Sequence, residues 1–94
     1  MEESLFRAVS LCQVLGSTTR YRILKLLAAG KKKPKELGKE LKKRPAVISV
    51  HLAKLRAAGL VRFKREPGGL FYWHKPDGLT GLMERIEEFV SRPG

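Results

Sequence analysis

The chain has 94 residues, a single cysteine and a formal net charge of +11. This length allows one small domain, residues 1–94, which buries only about 60–65% of its unfolded surface. A partner subunit is expected to cover part of its apolar surface, although many domains of this size fold alone. One cysteine excludes an intramolecular disulfide framework, and no run of about 18 apolar residues is present to span a membrane. The opening MEESLFR lacks the layout of a signal peptide, so a cytoplasmic protein is expected.

Positive charge is concentrated in the middle of the chain. Residues 20–65 contain sixteen lysines and arginines but only two acids, a local net charge of +14, whereas the two ends together carry more acids than bases. Such a field attracts polyanions, of which nucleic acid is the commonest. A membrane surface fits less well, because it normally binds a basic amphipathic helix at an exposed end and here the ends are acidic.

Helical spacing of apolar residues predicts four helices in the first 58 residues. Gly16 and Gly30 are expected to end the first two, and Ser17 is the N-cap candidate of the second. Pro45 separates the third helix from the fourth, and Gly59 is a natural C-cap for the fourth. The predicted ranges are 4–15, 18–29, 34–43 and 45–58, with residues 30–33 assigned to a loop.

After Gly59 the apolar period changes from helical to two. The segments LVRFKRE and LFYWHK are joined by PGG, which predicts a β-hairpin with Pro67 in the turn and a glycine at positive φ. A final amphipathic helix is predicted over residues 78–92. The expected element order is therefore α-α-α-α-β-β-α.

The fourth predicted helix has two faces of different composition. Ile48, Leu52 and Leu55 lie at i, i+4 and i+7 and are expected to pack against the second and third helices. A helix that enters the major groove needs low bulk, methyl groups for thymine, and donors for base edges or phosphates. The opposite face offers all three, although a surface helix that is merely rich in alanine and valine is the alternative. Its residues are Ala46, Val47, Ser49, Val50, Ala53 and Lys54.

The segments LGSTTRYRILKLL, KELGKEL, VISVHLAKLRAAGLV and RFKREPGGLFYW resemble, in this order, the ArsR/SmtB-type winged-helix transcriptional repressors. The resemblance covers about residues 10–75, and its most specific part is ISVHLxxLRxAGLV at residues 48–61, followed by a basic hairpin. It implies a mainly α winged helix-turn-helix fold with a β-hairpin wing, a homodimer, and the fourth helix in the major groove. In the family's pattern the positions of Ser49 and Val50 and those just before them face DNA.

Two features depart from that family's pattern. Many members carry a hydrophilic residue where Val50 stands and a Ser or Gln where Arg44-Pro45 stand, so phosphate contact and methyl packing carry more of the binding here. Metal-sensing members carry ligands that this chain lacks, because its third helix has no Cys or His and its last helix has no His. Cys12, His51 and His74 fall on three different elements, so no metal site, cofactor or catalytic site is predicted.

The predicted DNA-binding residues combine the outer face of the fourth helix, the basic residues before it, and the cations of the wing. His51, at the edge of the buried face, is interpreted as a half-buried group that can donate to a phosphate. In the wing at least one aromatic pair is assigned to the core, and an aromatic platform for single strands is the alternative. The full set is Lys43, Arg44, Ala46, Val47, Ser49, Val50, His51, Lys54, Arg62, Lys64 and Arg65.

The first and last predicted helices, residues 4–15 and 78–92, carry apolar stripes that are wide for a monomer of this size. The stripe of the last helix is close to a coiled-coil seam, so both helices are interpreted as dimerisation helices, with simple packing on the body as the alternative. The predicted interface residues are Leu5, Val9, Cys12, Leu79, Leu82, Met83, Ile86, Phe89 and Val90.

The sequence therefore predicts a sequence-specific, double-stranded DNA-binding transcriptional regulator, a homodimeric repressor without metal sensing. One alternative is a basic winged-helix protein that binds DNA or RNA without sequence preference, which Arg44-Pro45 and Val50 favour. Another is a winged-helix module for protein–protein contact, against which the central positive charge argues. An enzyme is not expected, because no acid–base constellation is present.

Overall fold

The computed structural model describes residues 2–75 and 77–93. The element order α-α-α-α-β-β-α is the predicted one, and the winged helix-turn-helix fold is confirmed. The elements are α1 (Glu3–Leu15), α2 (Thr18–Leu27), α3 (Pro34–Leu41), α4 (Pro45–Ala57), β1 (Val61–Glu66), β2 (Gly69–His74) and α5 (Leu79–Ser91). Helices α2 and α3 each end two residues earlier than predicted.

Capping groups set the starts of α2, α3 and α4 as the sequence predicts, whereas α2 ends with Ala28 as its C-cap, before the expected Gly30. At the start of α2 the Ser17 hydroxyl accepts a hydrogen bond from the Arg20 backbone N–H at 3.2 Å. Pro34 and Pro45 stand at the first positions of α3 and α4, where the missing proline N–H is not needed. Gly59 follows α4 with a φ of +77°, a conformation that glycine adopts without strain.

The turn of the helix-turn-helix, residues 42–44, lies tightly against α3. Lys42 adopts the left-handed conformation with φ 56°, and the Lys43 backbone N–H donates to the Gly38 carbonyl at 2.9 Å. Gly38 itself is buried, and a Cβ at this position would lie only 2.6 Å from the Lys43 carbonyl oxygen. A glycine in the middle of α3 therefore lets the turn into α4 pass directly over the helix.

A single apolar cluster joins the helices and the base of the wing. The predicted inner face of α4 is confirmed, because Ile48, Leu52 and Leu55 are fully buried. The other buried members are Ile23, Leu24 and Leu27 of α2, Leu37 and Leu41 of α3, Leu60, Val61, Leu79 and Met83. This packing fixes which side of α4 faces outward.

The wing is a two-stranded hairpin, and Lys32 forms an isolated β-bridge with the outer side of its second strand. Strands β1 and β2 pair antiparallel, with Val61 opposite His74 and Glu66 opposite Gly69. Lys32 pairs with the other side of β2, because its N–H donates to the Tyr72 carbonyl at 3.0 Å and its carbonyl accepts from the Tyr72 N–H at 2.8 Å. The assignment of residues 30–33 to a plain loop is therefore wrong at Lys32.

Helix α5 is attached to α2 by both apolar and polar contacts. The Tyr21 hydroxyl donates to Glu87 Oε2 at 2.6 Å, and Lys25 Nζ donates to Glu87 Oε1 at 2.9 Å. Leu79 and Met83 are buried in the core of the same chain. Leu79 and Met83, which the sequence assigns to the dimer interface, are thus covered within one chain, since this side of α5 packs against the body.

Candidate nucleic-acid interface

The outer face of α4 is exposed and built from small side chains. Since Ile48, Leu52 and Leu55 bury one side of the helix, the helical period turns Ala46, Ser49 and Lys54 to solvent. Two valines on this face remain uncovered, Val47 with 40% and Val50 with 57% of its surface exposed. The helix thus has the low profile and the methyl groups that major-groove entry needs.

The cations around α4 are not neutralised by carboxylates. Three ion pairs form among residues 2–75 and 77–93: Lys25–Glu87, Lys31–Glu66 and Arg92–Glu88. None of them involves a predicted DNA-binding cation. The positive charges of Lys43, Arg44 and Lys54 around α4 and of Arg62, Lys64 and Arg65 on β1 are therefore available to phosphates.

His51 lies at the edge between the inner and outer faces of α4, as the sequence predicts. Burial lowers the pKa of its imidazole, and the nearby charges of Arg20, Lys54 and Lys43 lower this pKa further. Its Nδ1 is buried and has no hydrogen-bond partner among the described residues. A neutral ring surrounded by cations marks a position where an approaching phosphate would be stabilised.

One face of the wing packs against the helices. Tyr72 packs against the core, and its ring lies 5.4 Å from that of Phe63, centroid to centroid. The Arg56 guanidinium at the end of α4 lies 4.4 Å from the Phe63 ring centroid, a cation–π contact that holds this cation beside β1. Arg56 is not among the residues that the sequence predicts to bind DNA, and the turn at Gly59 brings it to this ring.

The opposite face of the wing is polar and partly exposed. Cross-strand neighbours share a face, so Arg62 lies beside Trp73 and Lys64 beside Phe71. The Phe71 ring is flanked by two cations, Lys31 Nζ at 5.0 Å and Lys33 Nζ at 5.8 Å from its centroid. Because lysines already occupy this ring, the face is poorly suited to be a stacking platform for single strands.

A basic groove connects α4 with the wing. It has a volume of about 400 Å³ and runs from the end of α4 along β1. Its charged and aromatic lining consists of Arg56, Arg62, Lys64, Lys75, Phe63 and Trp73. The end of α4 and the cations of β1 therefore line one basic groove.

Several contacts of basic residues around α4 and the wing were missed from the sequence. Lys31 and Lys33 contact the wing although they precede α3, and three consecutive lysines have little intrinsic tendency to form a strand. Arg20 donates to the Val14 carbonyl at 2.8 Å, which positions its guanidinium near His51. No sequence period connects these residues, so only the three-dimensional structure shows them.

The part of the chain that the structure describes contains neither a cluster of metal-ligating side chains nor a helix that could span a membrane. Within residues 2–75 and 77–93 no group of three or more His, Cys, Asp or Glu side chains could hold a metal ion. In the same two ranges no helix is long and apolar enough to cross a membrane. Cys12 is exposed on α1.

The fold, the small-residue outer face of α4 and the cations around it define a winged helix-turn-helix DNA-binding protein. Residues 17–62 match the family model described as bacterial regulatory protein, arsR family. The chain is 33% identical over 87 residues to an HTH-type transcriptional regulator of Methanocaldococcus jannaschii, covering 92% of this chain and 98% of the relative. The transcriptional activator HlyU of Vibrio cholerae is 33% identical over 92 residues, covering 98% and 85%.

Comparison with solved structures shows the same fold in other proteins. HlyU from Vibrio cholerae superposes with a TM-score of 0.84 at 27% identity and covers 98% of this chain and 100% of that one. A homodimeric winged helix-turn-helix DNA-binding domain from Mycobacterium bovis has the same fold, with a TM-score of 0.82, 22% identity, and coverage of 92% and 80%. The chain belongs to the arsR family of regulatory proteins and is a DNA-binding transcriptional regulator, a class of proteins that are not enzymes.

Proposed function

We propose that the protein is a homodimer that binds specific sites in duplex DNA and represses transcription, with α4 of each protomer in the major groove. The observation that carries the proposal is the exposed, small-residue face of α4 between cations that have no carboxylate partner among the described residues. The residues proposed to contact bases are Ala46, Val47, Ser49 and Val50. Those proposed to contact phosphates are Lys43, Arg44, His51, Lys54, Arg62, Lys64 and Arg65.

The proposed dimer surface lies on α1 and on the outer half of α5. Leu82, Ile86, Phe89 and Val90 of α5 are exposed, the last two with 73% and 72% of their surface uncovered. Apolar side chains exposed together in this number on a small domain mark a protein interface. On α1 the proposed members are Leu5, Val9 and Cys12, all exposed.

A second copy of the chain is the partner that fits this surface. A twofold dimer uses the same patch on both protomers and presents two copies of α4 on one side. The carboxylates of α5, such as Glu84 and Glu88, then lie away from the cations of α4 and β1, which removes them from the phosphates.

Selection of bound fragments from random duplex DNA, at moderate salt and with excess competitor, tests the proposal. We expect an inverted repeat whose half-site centres are about one or two helical turns apart. Enrichment of single half-sites without symmetry would argue against the dimer. Fragments that remain bound without any enrichment would show binding without sequence recognition.

Substitutions separate base contact from phosphate contact. Ser49→Ala and Val50→Ala are expected to change the selected sequence at defined positions, because these side chains face the groove. Lys64→Ala on β1 is expected to weaken binding to all sequences about equally. Uniform losses from all three variants would contradict base recognition by α4.

A second candidate is binding to duplex DNA without sequence preference. Val50 is the observation that favours it, because an exposed valine at the centre of the outer face can touch a thymine methyl group but forms no hydrogen bond to a base. The selection experiment distinguishes the two candidates directly.

The regulatory mode proposed is repression in the cytoplasm without metal sensing. Occupancy of a promoter is sufficient to exclude polymerase, and the two surfaces described above supply all that occupancy requires. Run-off transcription from a promoter that contains the selected site should fall as protein is added, and should not respond to added Zn²⁺. A rise in transcript would show an activator.

A further inference from the structure

Residues 31–33, the three lysines before α3, lie along the side of β2 that does not pair with β1. Lys32 is hydrogen-bonded to Tyr72 in both directions, so the segment runs alongside β2. Side chains alternate along a strand, and Lys31 and Lys33 therefore point to the face opposite Lys32. On that face they approach the Phe71 ring at 5.0 and 5.8 Å.

Both lysines also bind the tip of the hairpin. Lys31 forms an ion pair with Glu66, the last residue of β1. Lys33 Nζ donates to the Gly68 carbonyl at 3.3 Å, within the turn. A Cβ on Gly69 would lie 3.0 Å from Lys33 Cδ, so the aliphatic part of Lys33 packs across the glycine where β2 begins.

The same Lys33 is the N-cap of α3. Its backbone N–H donates to Glu36 Oε1 at 2.8 Å, and its carbonyl accepts from the Leu37 N–H at 3.1 Å. One residue therefore connects the first turn of α3 with the turn of the wing. The backbone of Lys33 is fixed by the helix and its side chain is fixed by the hairpin.

The tip of the wing has few other supports. Lys64, Arg65, Pro67 and Gly68 are all exposed, and a two-stranded hairpin by itself is marginally stable in water. In the proposed complex α4 and the wing contact one duplex at the same time, so a wing held at a fixed distance from α4 loses less conformational entropy on binding.

We propose that Lys31 and Lys33 are positioning residues that hold the wing tip against α3, with Lys33 as the principal one, and so set the wing for DNA contact. The DNA part of this inference rests on the proposed function. Lys31 has a second effect, since it neutralises Glu66, the one acid between residues 60 and 75, next to the DNA-facing cations.

The first test is hydrogen exchange of wing amides in the free protein. Lys33→Met keeps the aliphatic contact with Gly69 but removes the donor to Gly68 and the cation near the Phe71 ring. Lys35→Met removes the same charge from the same turn of α3 at an exposed site and is the control. Tyr72 directs both its N–H and its carbonyl to Lys32, so in the antiparallel ladder the N–H groups of Lys64 and Glu66 face β2. We expect these two amides to exchange about fivefold faster in Lys33→Met, as loss of one hydrogen bond predicts, and to be unchanged in the control. Unchanged exchange in both variants would overturn the proposal.

The second test is a double-mutant cycle on the affinity for the selected duplex. Lys33→Met should weaken binding about fivefold when the wing is intact, but less than twofold when Lys64 and Arg65 are both alanine. A loss of equal size in both backgrounds would mean that Lys33 contacts phosphate directly, and would overturn the positioning role. If the unmodified protein bound no duplex DNA, the proposed function would fail, while the exchange experiment would still decide whether Lys33 holds the wing.

Discussion

Gly38→Ala tests whether the close approach of α3 to the turn before α4 determines stability. Helix propensity alone predicts a gain of about 1 kcal/mol, because alanine is favoured over glycine in a helix interior. The structure predicts a loss of stability instead. The new Cβ would lie 2.6 Å from the Lys43 carbonyl oxygen, whereas Cβ contacts below 3.0 Å essentially never occur. The obstacle is backbone, so the turn itself has to move.

The expected magnitude follows from these two opposing effects. Overpacking costs about 1–3 kcal/mol of stability. Because a backbone oxygen must be displaced here, we expect a cost near the upper end, about 3 kcal/mol. After the gain in propensity, the net loss is about 2 kcal/mol, or a fall in Tm of about 8–16 °C for a domain of this size. DNA affinity should fall as well, because Lys43 and Arg44 move with the turn.

Gly81→Ala in α5 is the matched control. It is also a helical glycine, but a Cβ added there would have no atom within 4 Å, so the substitution should stabilise by about 0.5–1 kcal/mol. Urea denaturation followed by circular dichroism, at one protein concentration for all variants, measures both effects. If Gly38→Ala were as stabilising as Gly81→Ala, the reasoning from close backbone approach would be refuted.

Three further predictions concern the proposed surfaces and the contact between α2 and α5. Ile86→Glu should give a monomer in sedimentation equilibrium because each protomer would bury a carboxylate in the proposed apolar interface, whereas Arg85→Glu, on the neighbouring face, should remain dimeric. In the dimer Lys54→Ala should lower the slope of log affinity against log salt by about 1.8, two phosphates at about 0.9 each, and Lys39→Ala on α3 should not. Hydrogen bonds from Tyr21 and Lys25 lower the pKa of Glu87, so its stabilising effect is present above its ordinary pKa of 4.5 and is lost as pH falls through the lower, folded value. The difference in unfolding free energy between the unmodified protein and Glu87→Gln should therefore shrink as denaturation is moved from neutral pH to about pH 3, and a constant difference would contradict this contact.

The elements that follow a strong sequence period were predictable. Ile48, Leu52 and Leu55 recur at helical spacing and are buried, and that period alone placed Ser49 and Val50 outside. Likewise, the change to a period of two after Gly59, with PGG between the two segments, located the hairpin.

The apolar stripe of α5 shows where the period is insufficient. Its apolar residues span a wide angle around the helix, and nothing in the spacing shows which part packs on the same chain. Leu79 and Met83 are buried beside α2, whereas Phe89 and Val90 are left exposed. Which residues of α5 are buried depends on how α5 packs against the rest of the chain. That packing depends on contacts distant in sequence, such as those of the Tyr21 hydroxyl with the Met83 carbonyl and Glu87.

The contacts of the lysines before α3 could not be predicted for a different reason. Lysine has low strand propensity, and the pairing of Lys32 with Tyr72 joins residues forty positions apart. The pairing exists because the core brings α3 and β2 together. The need for glycine at position 38 could not be predicted for the same reason. It arises because the Lys43 carbonyl approaches Gly38 closely, and this approach exists only in the folded turn.

The exposed apolar end of α5 has a consequence for how a promoter would respond to the amount of this protein. If Phe89 and Val90 are covered only in the dimer, free protomers and dimers exchange by mass action, and the concentration of dimers at low abundance rises with the square of the concentration of protomers. A twofold change in synthesis then becomes about a fourfold change in the species that binds DNA. The side chains at the end of one helix would thereby set the abundance at which a gene is switched.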